Sequence, residues 1–536
     1  MPCFLIALVW AATRAYPLSQ AVPWHYWEVW EAKKLLDYGF FARHGGIINI
    51  HFMTGMLPDP WRFNYVNHPY PILWLDTLAF SVGGQWGPIC LNAFFGLAAC
   101  IATYFALKCS FGEKESLIGA ILFTLAPTNI AFDINPDQSA QGALMWPFAM
   151  LALHACREKK PWAPLGLGLV VFLAGQISWS TYSIYPVLLL MTTRVSYERG
   201  RGFAWMPDWA ATKALMAGAV LTVIVFLAQI ALYTHNWQSL FAYLGRQAGT
   251  EAGVSMPQMY FAIGLRTALS LGPALLIGMA AGVAQLNRQR SFDWRQLGVL
   301  SYPIIFVCAT LLLKRYFYRE HHLYAYLVLP LTFLTVEGLC AMKSRALGRI
   351  LLCLAVVNLA YPLLRASIPT VSLTSVKLGQ QIRSLSRSEQ AVGTNIDSQK
   401  DPFESWDVGA ITNTQLAADR MLFPDVTTRS GIEQIPCTLD AQNVDLIYVW
   451  NPRLPVDETL RTLLEATPPL ATCQFVIPDQ PPSIAAQLRS AYWKLIGKYQ
   501  VSSNKQTPAS TELRVYHFHL KKAGPASIVA VEPVRK

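Results

Sequence analysis

The side chains best placed to do chemistry lie in a polar, aromatic-rich stretch, 23–72, set between apolar segments. In HYWEVWEAKKLL, His25 precedes Glu28 by about one helical turn and Glu31 follows by another. Trp24, Trp27 and Trp30 surround the first carboxylate. An imidazole beside a partly desolvated carboxylate suits a general base, because desolvation raises the carboxylate pKa toward the working pH. The same residues fit an interfacial amphipathic helix with its indoles at headgroup level, and both readings stay open for Glu28. Lys33 and Lys34 add cations one turn further on, where Glu31 needs no more than a surface ion pair. Of the other acids, Asp37 suits a helix end, Asp59 in LPDPW suits a turn, and Asp76 sits in the apolar run ILWLDTLAF.

Three further groups carry chemistry. His68 stands before Pro69 and near Pro71, whose fixed backbone suits either an aimed side chain or a plain loop-to-helix corner. Asp137 in NPDQSAQ fits a helix N-cap, and equally an acid on the same side of the membrane as the first stretch. KRYFYREHH places Lys314, Arg315, Arg319, His321 and His322 around Tyr316 and Tyr318. Cations interleaved with tyrosines at a membrane border suit a phosphate carried on a lipid; simple snorkelling to headgroups is the plainer alternative.

These groups need a scaffold, and composition says which kind. The chain has 536 residues, of which 53% are hydrophobic and 14% charged. An average soluble domain carries about 25% charged residues, so the deficit points to a membrane protein. Apolar segments fall at about 86–108, 115–132, 138–155, 163–178, 180–194, 211–234, 267–286, 297–313, 322–341 and 349–367. With the shorter 2–12 as a first helix, this predicts about eleven spanning helices. FGEKES, REKKPW, RVSYERGRG, NRQRSFDWRQ and MKSRALGR fall on alternate connections, and four of these five are clearly basic, as inner loops should be. The net charge of +11 is thereby explained without nucleic acid. KRYFYREHH breaks that pattern by lying outside, which marks it as a functional candidate.

Past residue 370 the apolar runs shorten to strand length: AVGTNI, DLIYVW, TCQFVI and LRVYHFHL, with helix-like stretches between them. The division is a transmembrane module over 1–369, with a large outer loop at 13–85, and a small extracytoplasmic α/β domain over 370–536. An oxidising compartment would permit a Cys437–Cys473 disulfide. The chain has no Asn-x-Ser/Thr sequon, which favours a bacterial cell membrane.

An inner start, a large first outer loop with an acidic helix, NHPYPILWL near its end, Pro136-Asp137 in a short second outer loop and a late outer basic patch leading to Tyr-x-x-x-Pro together resemble the GT-C glycosyltransferases. More narrowly, they resemble the bacterial branch similar to protein O-mannosyltransferases and the lipid A aminoarabinose transferase. The resemblance covers residues 1 to about 367. The family's Asp-Glu pair would fall near 23–25, where this chain reads Pro23, Trp24, His25; the nearest acid is Glu28.

The resemblance implies a mainly α, polytopic bundle and an inverting transfer of a sugar from a polyprenyl-phosphate donor to a glycan, lipid or protein acceptor. Glu28, His25 and Asp137 would be catalytic. Lys33, Lys34, His68, Lys314, Arg315, Tyr316, Arg319, His321 and His322 would bind substrate. Some relatives use a divalent metal, for which His51, His68 and Asp137 would be the ligands, although their spacing singles out no site. The competing functions are a transporter of lipid-linked sugars, and a non-catalytic membrane protein that binds a partner through its C-terminal domain. Charges that gather in loops rather than at segment centres favour the enzyme over the transporter.

Overall fold

The structure, a computed structural model, describes residues 1–19, 71–134, 139–229, 254–319, 325–359, 373–395, 421–476, 510–521 and 531–533, with short gaps inside these ranges. The chain divides into two compact units, one holding the helices up to Val357 and the other the elements from Leu373 to Pro533.

The first unit is helical. Its elements are α1 (Pro2–Ser19), α2 (Pro71–Gly83), α3 (Gly87–Lys108), α4 (Glu113–Thr124), α5 (Pro127–Phe132), α6 (Ser139–Arg157), α7 (Ala163–Ile177) and α8 (Ile184–Thr192). After them come α9 (Trp209–Gln229), α10 (Met256–Arg288), α11 (Trp294–Leu312), α12 (Lys314–Arg319), α13 (Ala325–Met342) and α14 (Arg345–Val357). Among the described residues four stretches are long and apolar enough to cross a bilayer: Leu75–Lys108, Trp209–Ala228, Met256–Arg288 and Trp294–Leu312. The other expected spans are shorter, interrupted or less apolar.

Two interruptions have visible causes. The segment expected at 115–132 breaks because Pro127 has no N–H to continue the ladder. Two carbonyls before it take side-chain donors instead: Asn129 Nδ2 donates to Phe123 O at 2.8 Å, and Arg14 Nη1 to Thr124 O at 2.8 Å. In α10 the break falls at Gly272, φ +75°, just before Pro273. A Cβ there would meet the Asn358 side chain, so both the backbone conformation and the space require glycine. Helix also replaces expected loop at 71–83 and at 256–266, within the stretches predicted as outer connections.

Helix α10 packs closely on α13 through Gly278 and Gly282, a Gly-x-x-x-Gly spacing that lets backbones approach where lipid offers no hydrophobic drive. A Cβ on Gly282 would strike the Leu334 carbonyl, whereas one on Gly264 of the same helix meets nothing. Gly282→Ala should therefore cost about 1–3 kcal/mol in overpacking. Gly264→Ala should be neutral or slightly stabilising. Thermal unfolding of the two purified variants side by side reads the difference.

At the end of the bundle where Lys108, Arg157, Arg194 and Arg288 collect, two basic connections form an antiparallel sheet in the order β2-β1-β3. Its strands are β1 (Val195–Glu198), β2 (Gly202–Trp205) and β3 (Ser291–Phe292), joined across one face by Tyr197, Phe203 and Phe292.

The second unit is α/β. It contains α15 (Leu373–Leu385), β4 (Ala391–Thr394), β5 (Met421–Phe423), α16 (Arg429–Thr438), β6 (Asn443–Trp450), α17 (Glu458–Ala466), β7 (Ala471–Val476), β8 (Ser510–Lys521) and β9 (Val531–Pro533). The sheet runs β5-β4-β6-β8-β7, with β9 beside β8. Strand β4 is parallel to both neighbours, and every pairing of β8 is antiparallel. Leu446, Tyr448, Phe518 and Leu520 pack with Ile432, Ile435, Leu460 and Leu464 in its core. Asp457 caps α17 by accepting from Leu460 N at 2.7 Å. Cys437 and Cys473 are both unpaired, so the disulfide their shared domain would permit is not formed.

Candidate functional site

A heavily bonded polar cluster joins α1 to the connection after α5. Helix α1 is apolar up to Ala12, and its Arg14 is fully buried. A cation in that setting must be neutralised and hydrogen-bonded. Its Nε and Nη2 reach Asp133 Oδ2 at 3.1 and 2.7 Å, and its Nη1 reaches Thr13 Oγ1 and Thr124 O. One turn earlier, Trp10 Nε1 donates to the same Oδ2 at 2.9 Å. Asn92 Nδ2 of α3 donates to the Phe132 carbonyl at 3.0 Å. On the same helix Gly96 leaves the space the Asp133 carboxylate fills. The helix break at Pro127 thus serves the site: it ends the helix early, frees the Thr124 carbonyl for Arg14 and turns Asp133 inward.

Asp133 lies four residues before Asp137, the acid expected to act in the second outer loop. The cluster therefore fixes the root of that loop. Asp137 itself falls outside the described residues, as do His25, Glu28, Lys33, Lys34, His51, His68, His321 and His322. Of the expected substrate-binding residues, Lys314, Arg315, Tyr316 and Arg319 lie on α12, a short helix that follows α11 at the Asp133 end of the bundle. Its buried Phe317 packs edge-on against Phe306 at 4.8 Å, which anchors the helix and leaves Lys314 and Arg315 half-buried beside it.

Two charges that sequence reasoning did not assign are also buried: Asp76 of α2, and Arg266 in the half of α10 before its break. That helix packs against α5 and α12. Charges thus do enter the bundle, contrary to the expectation that they keep to the loops. The signal for Arg14 was readable, since a lone arginine in an apolar segment requires a counter-charge. The signal for Asp133 was not, because nothing in DINPD ranks one aspartate over the other.

Among the described residues no three His, Cys, Asp or Glu side chains converge as metal ligands do. Asp133 is bound to Arg14.

No family profile and no curated protein matches the sequence. Solved structures do match. ArnT from Cupriavidus metallidurans bound to undecaprenyl phosphate superposes with a TM-score of 0.54 at 11% identity, over 88% of this chain and 95% of that one. The same enzyme in the apo state gives 0.52 at 10% identity, over 88% and 96%. The fold is that of the GT-C glycosyltransferases. The Archaeoglobus fulgidus oligosaccharyltransferase in complex with Zn and sulfate matches at 0.51 and 11% identity, over 99% of this chain and 94% of that one. With its apolar helices, this GT-C-fold chain is an integral membrane protein.

Proposed function

We propose that the chain is an integral-membrane glycosyltransferase of the bacterial cell membrane. It moves a sugar from a polyprenyl-phosphate donor to a glycan, lipid or protein acceptor on the extracytoplasmic face, with inversion. The observation that carries this reading is the half-buried Lys314–Arg315 pair on α12, at the Asp133 end of a GT-C fold. Guanidinium and ammonium groups at a membrane border are suited to phosphate oxygens whose lipid tail stays in the bilayer. The likeness to ArnT, seen with undecaprenyl phosphate, supports the same donor class.

Roles follow for the remaining residues. Arg315 and Lys314 hold the donor phosphate, with Tyr316, Arg319, His321 and His322 completing the patch. Lys33, Lys34 and His68 contact substrate from the first loop. Glu28, three residues after His25 in the sequence, takes the acceptor proton, and Asp137, four residues after Asp133, assists. Where a divalent metal assists, His51, His68 and Asp137 would hold it, and Asp133 is committed to Arg14.

Arg315→Ala should weaken binding of undecaprenyl phosphate at least tenfold, the loss of a charge-assisted contact worth about 1.5–3 kcal/mol. A titration with the purified protein in detergent reads this. Unchanged affinity would return the patch to headgroup anchoring.

The broken helices at Pro127 and Gly272 and the buried Arg266 are features that transporters also use, and they sustain a second reading as a flippase of lipid-linked sugars.

A further inference from the structure

At the basic end of the bundle, opposite Asp133 and α12, a cavity of about 340 Å³ opens between the ends of α3, α10, α11 and α13. Ligand sites for small molecules run from roughly 300 to 1,000 Å³, so it is large enough to hold one. Phe111, Phe333 and Val299 contribute apolar wall, while Arg295, Gln296 and Glu337 contribute polar groups.

The polar groups are held in place. Gln296 is used at both ends: its Oε1 accepts from Asp293 N at 3.0 Å, closing the cap of α11, and its Nε2 donates to Glu337 Oε1 at 2.6 Å. This fixes the Glu337 carboxylate by one oxygen, and among the described residues the other receives no hydrogen bond. Arg295 is fixed by Nε and Nη2 against Asp293 Oδ2 at 3.1 and 2.8 Å, bonds that leave its Nη1 over. Among the described lining residues Arg295 is the one cation, and its ion pair is with Asp293 and not with Glu337. The cavity therefore has an anion and a cation in its lining together with apolar side chains.

Its depth narrows the ligand. Trp294 carries the guanidinium groups of Arg157 and Arg295, each 5.9 Å from its ring, and Lys108 and Arg288 end their helices nearby. An indole among cations at helix ends marks the headgroup level of a membrane.

We propose that this cavity binds a phospholipid whose headgroup carries a primary amine, of the phosphatidylethanolamine class. The ammonium meets the open Glu337 oxygen, the phosphate meets Arg295, and the glycerol lies against Val299 and Phe333. A quaternary choline has no N–H to give the carboxylate, and a glycerol headgroup has no positive charge for it.

The test uses the full chain purified in detergent. Phosphatidylethanolamine, its mono- and dimethyl forms, phosphatidylcholine and phosphatidylglycerol are added in turn, and bound lipid is counted by native mass spectrometry. Affinity should fall about tenfold from the primary amine to choline, and Glu337→Gln should abolish that preference. The methylation series on the unmodified protein stands even if the variant fails to fold. Equal binding of phosphatidylethanolamine and phosphatidylcholine, or a preference intact in Glu337→Gln, overturns the site. Free phosphoethanolamine should not displace the lipid; displacement at matching concentration would overturn the lipid assignment by placing the ligand in solution.

Discussion

Replacing Arg14 with Met leaves the Asp133 carboxylate buried without its counter-charge, and the expected result is a loss of about 3–5 kcal/mol. That is a large share of the 5–15 kcal/mol that typically holds a protein folded. The effect is large because four of the donor contacts in the cluster belong to Arg14, two to Asp133 and one each to Thr13 and Thr124. The loss should not be the net worth of the pair. A double replacement, Arg14→Met with Asp133→Leu, removes both charges and should recover much of the stability, since apolar pairs of similar volume often replace buried ion pairs without loss. Thermal unfolding of both single variants and the double variant gives the coupling between the two residues. Single variants as stable as the parent would show that the pair does not tie α1 to the connection after α5.

Glu28→Gln is expected to remove turnover, by about 10²–10⁴-fold, while donor binding stays near normal. An acceptor hydroxyl loses its proton only at a pH far above neutrality, so the proton must pass to a positioned base as the sugar bond forms. Glutamine keeps the side-chain shape and cannot accept that proton. Steady-state rates and donor titrations on the same preparation separate the two effects. Near-normal turnover in Glu28→Gln, with loss in Asp137→Asn, would place the base in the second outer loop.

Residues that repeat along one element were legible from the sequence, and residues that meet across the fold were not. The apolar segments and the alternation of basic connections follow from local composition. Strands AVGTNI and DLIYVW and the alternating LRVYHFHL were likewise readable, because side chains in a strand repeat every two residues.

The breaks were half legible. Pro127 stands in plain view inside 115–132, but the rescue of its freed carbonyls depends on Asn129 and on Arg14, which is 110 residues away from Thr124. Gly272 needs Asn358 beside it to matter. The pairing of Arg14 with Asp133 spans 119 residues and has no periodic trace. The hairpin at 195–205 read as a basic loop because its strands are short and its turn glycines, Gly200 and Gly202, also suit a loop.

The central claim is that a sugar leaves a lipid phosphate and becomes bonded to an acceptor. The most direct measurement incubates the purified chain, reconstituted in vesicles, with a panel of radiolabelled polyprenyl-phosphate sugars and a membrane extract as acceptor. Release of free polyprenyl phosphate, together with label fixed to a new acceptor, is the predicted result. Movement of an intact labelled donor between leaflets with no cleavage would contradict the claim and make the chain a transporter.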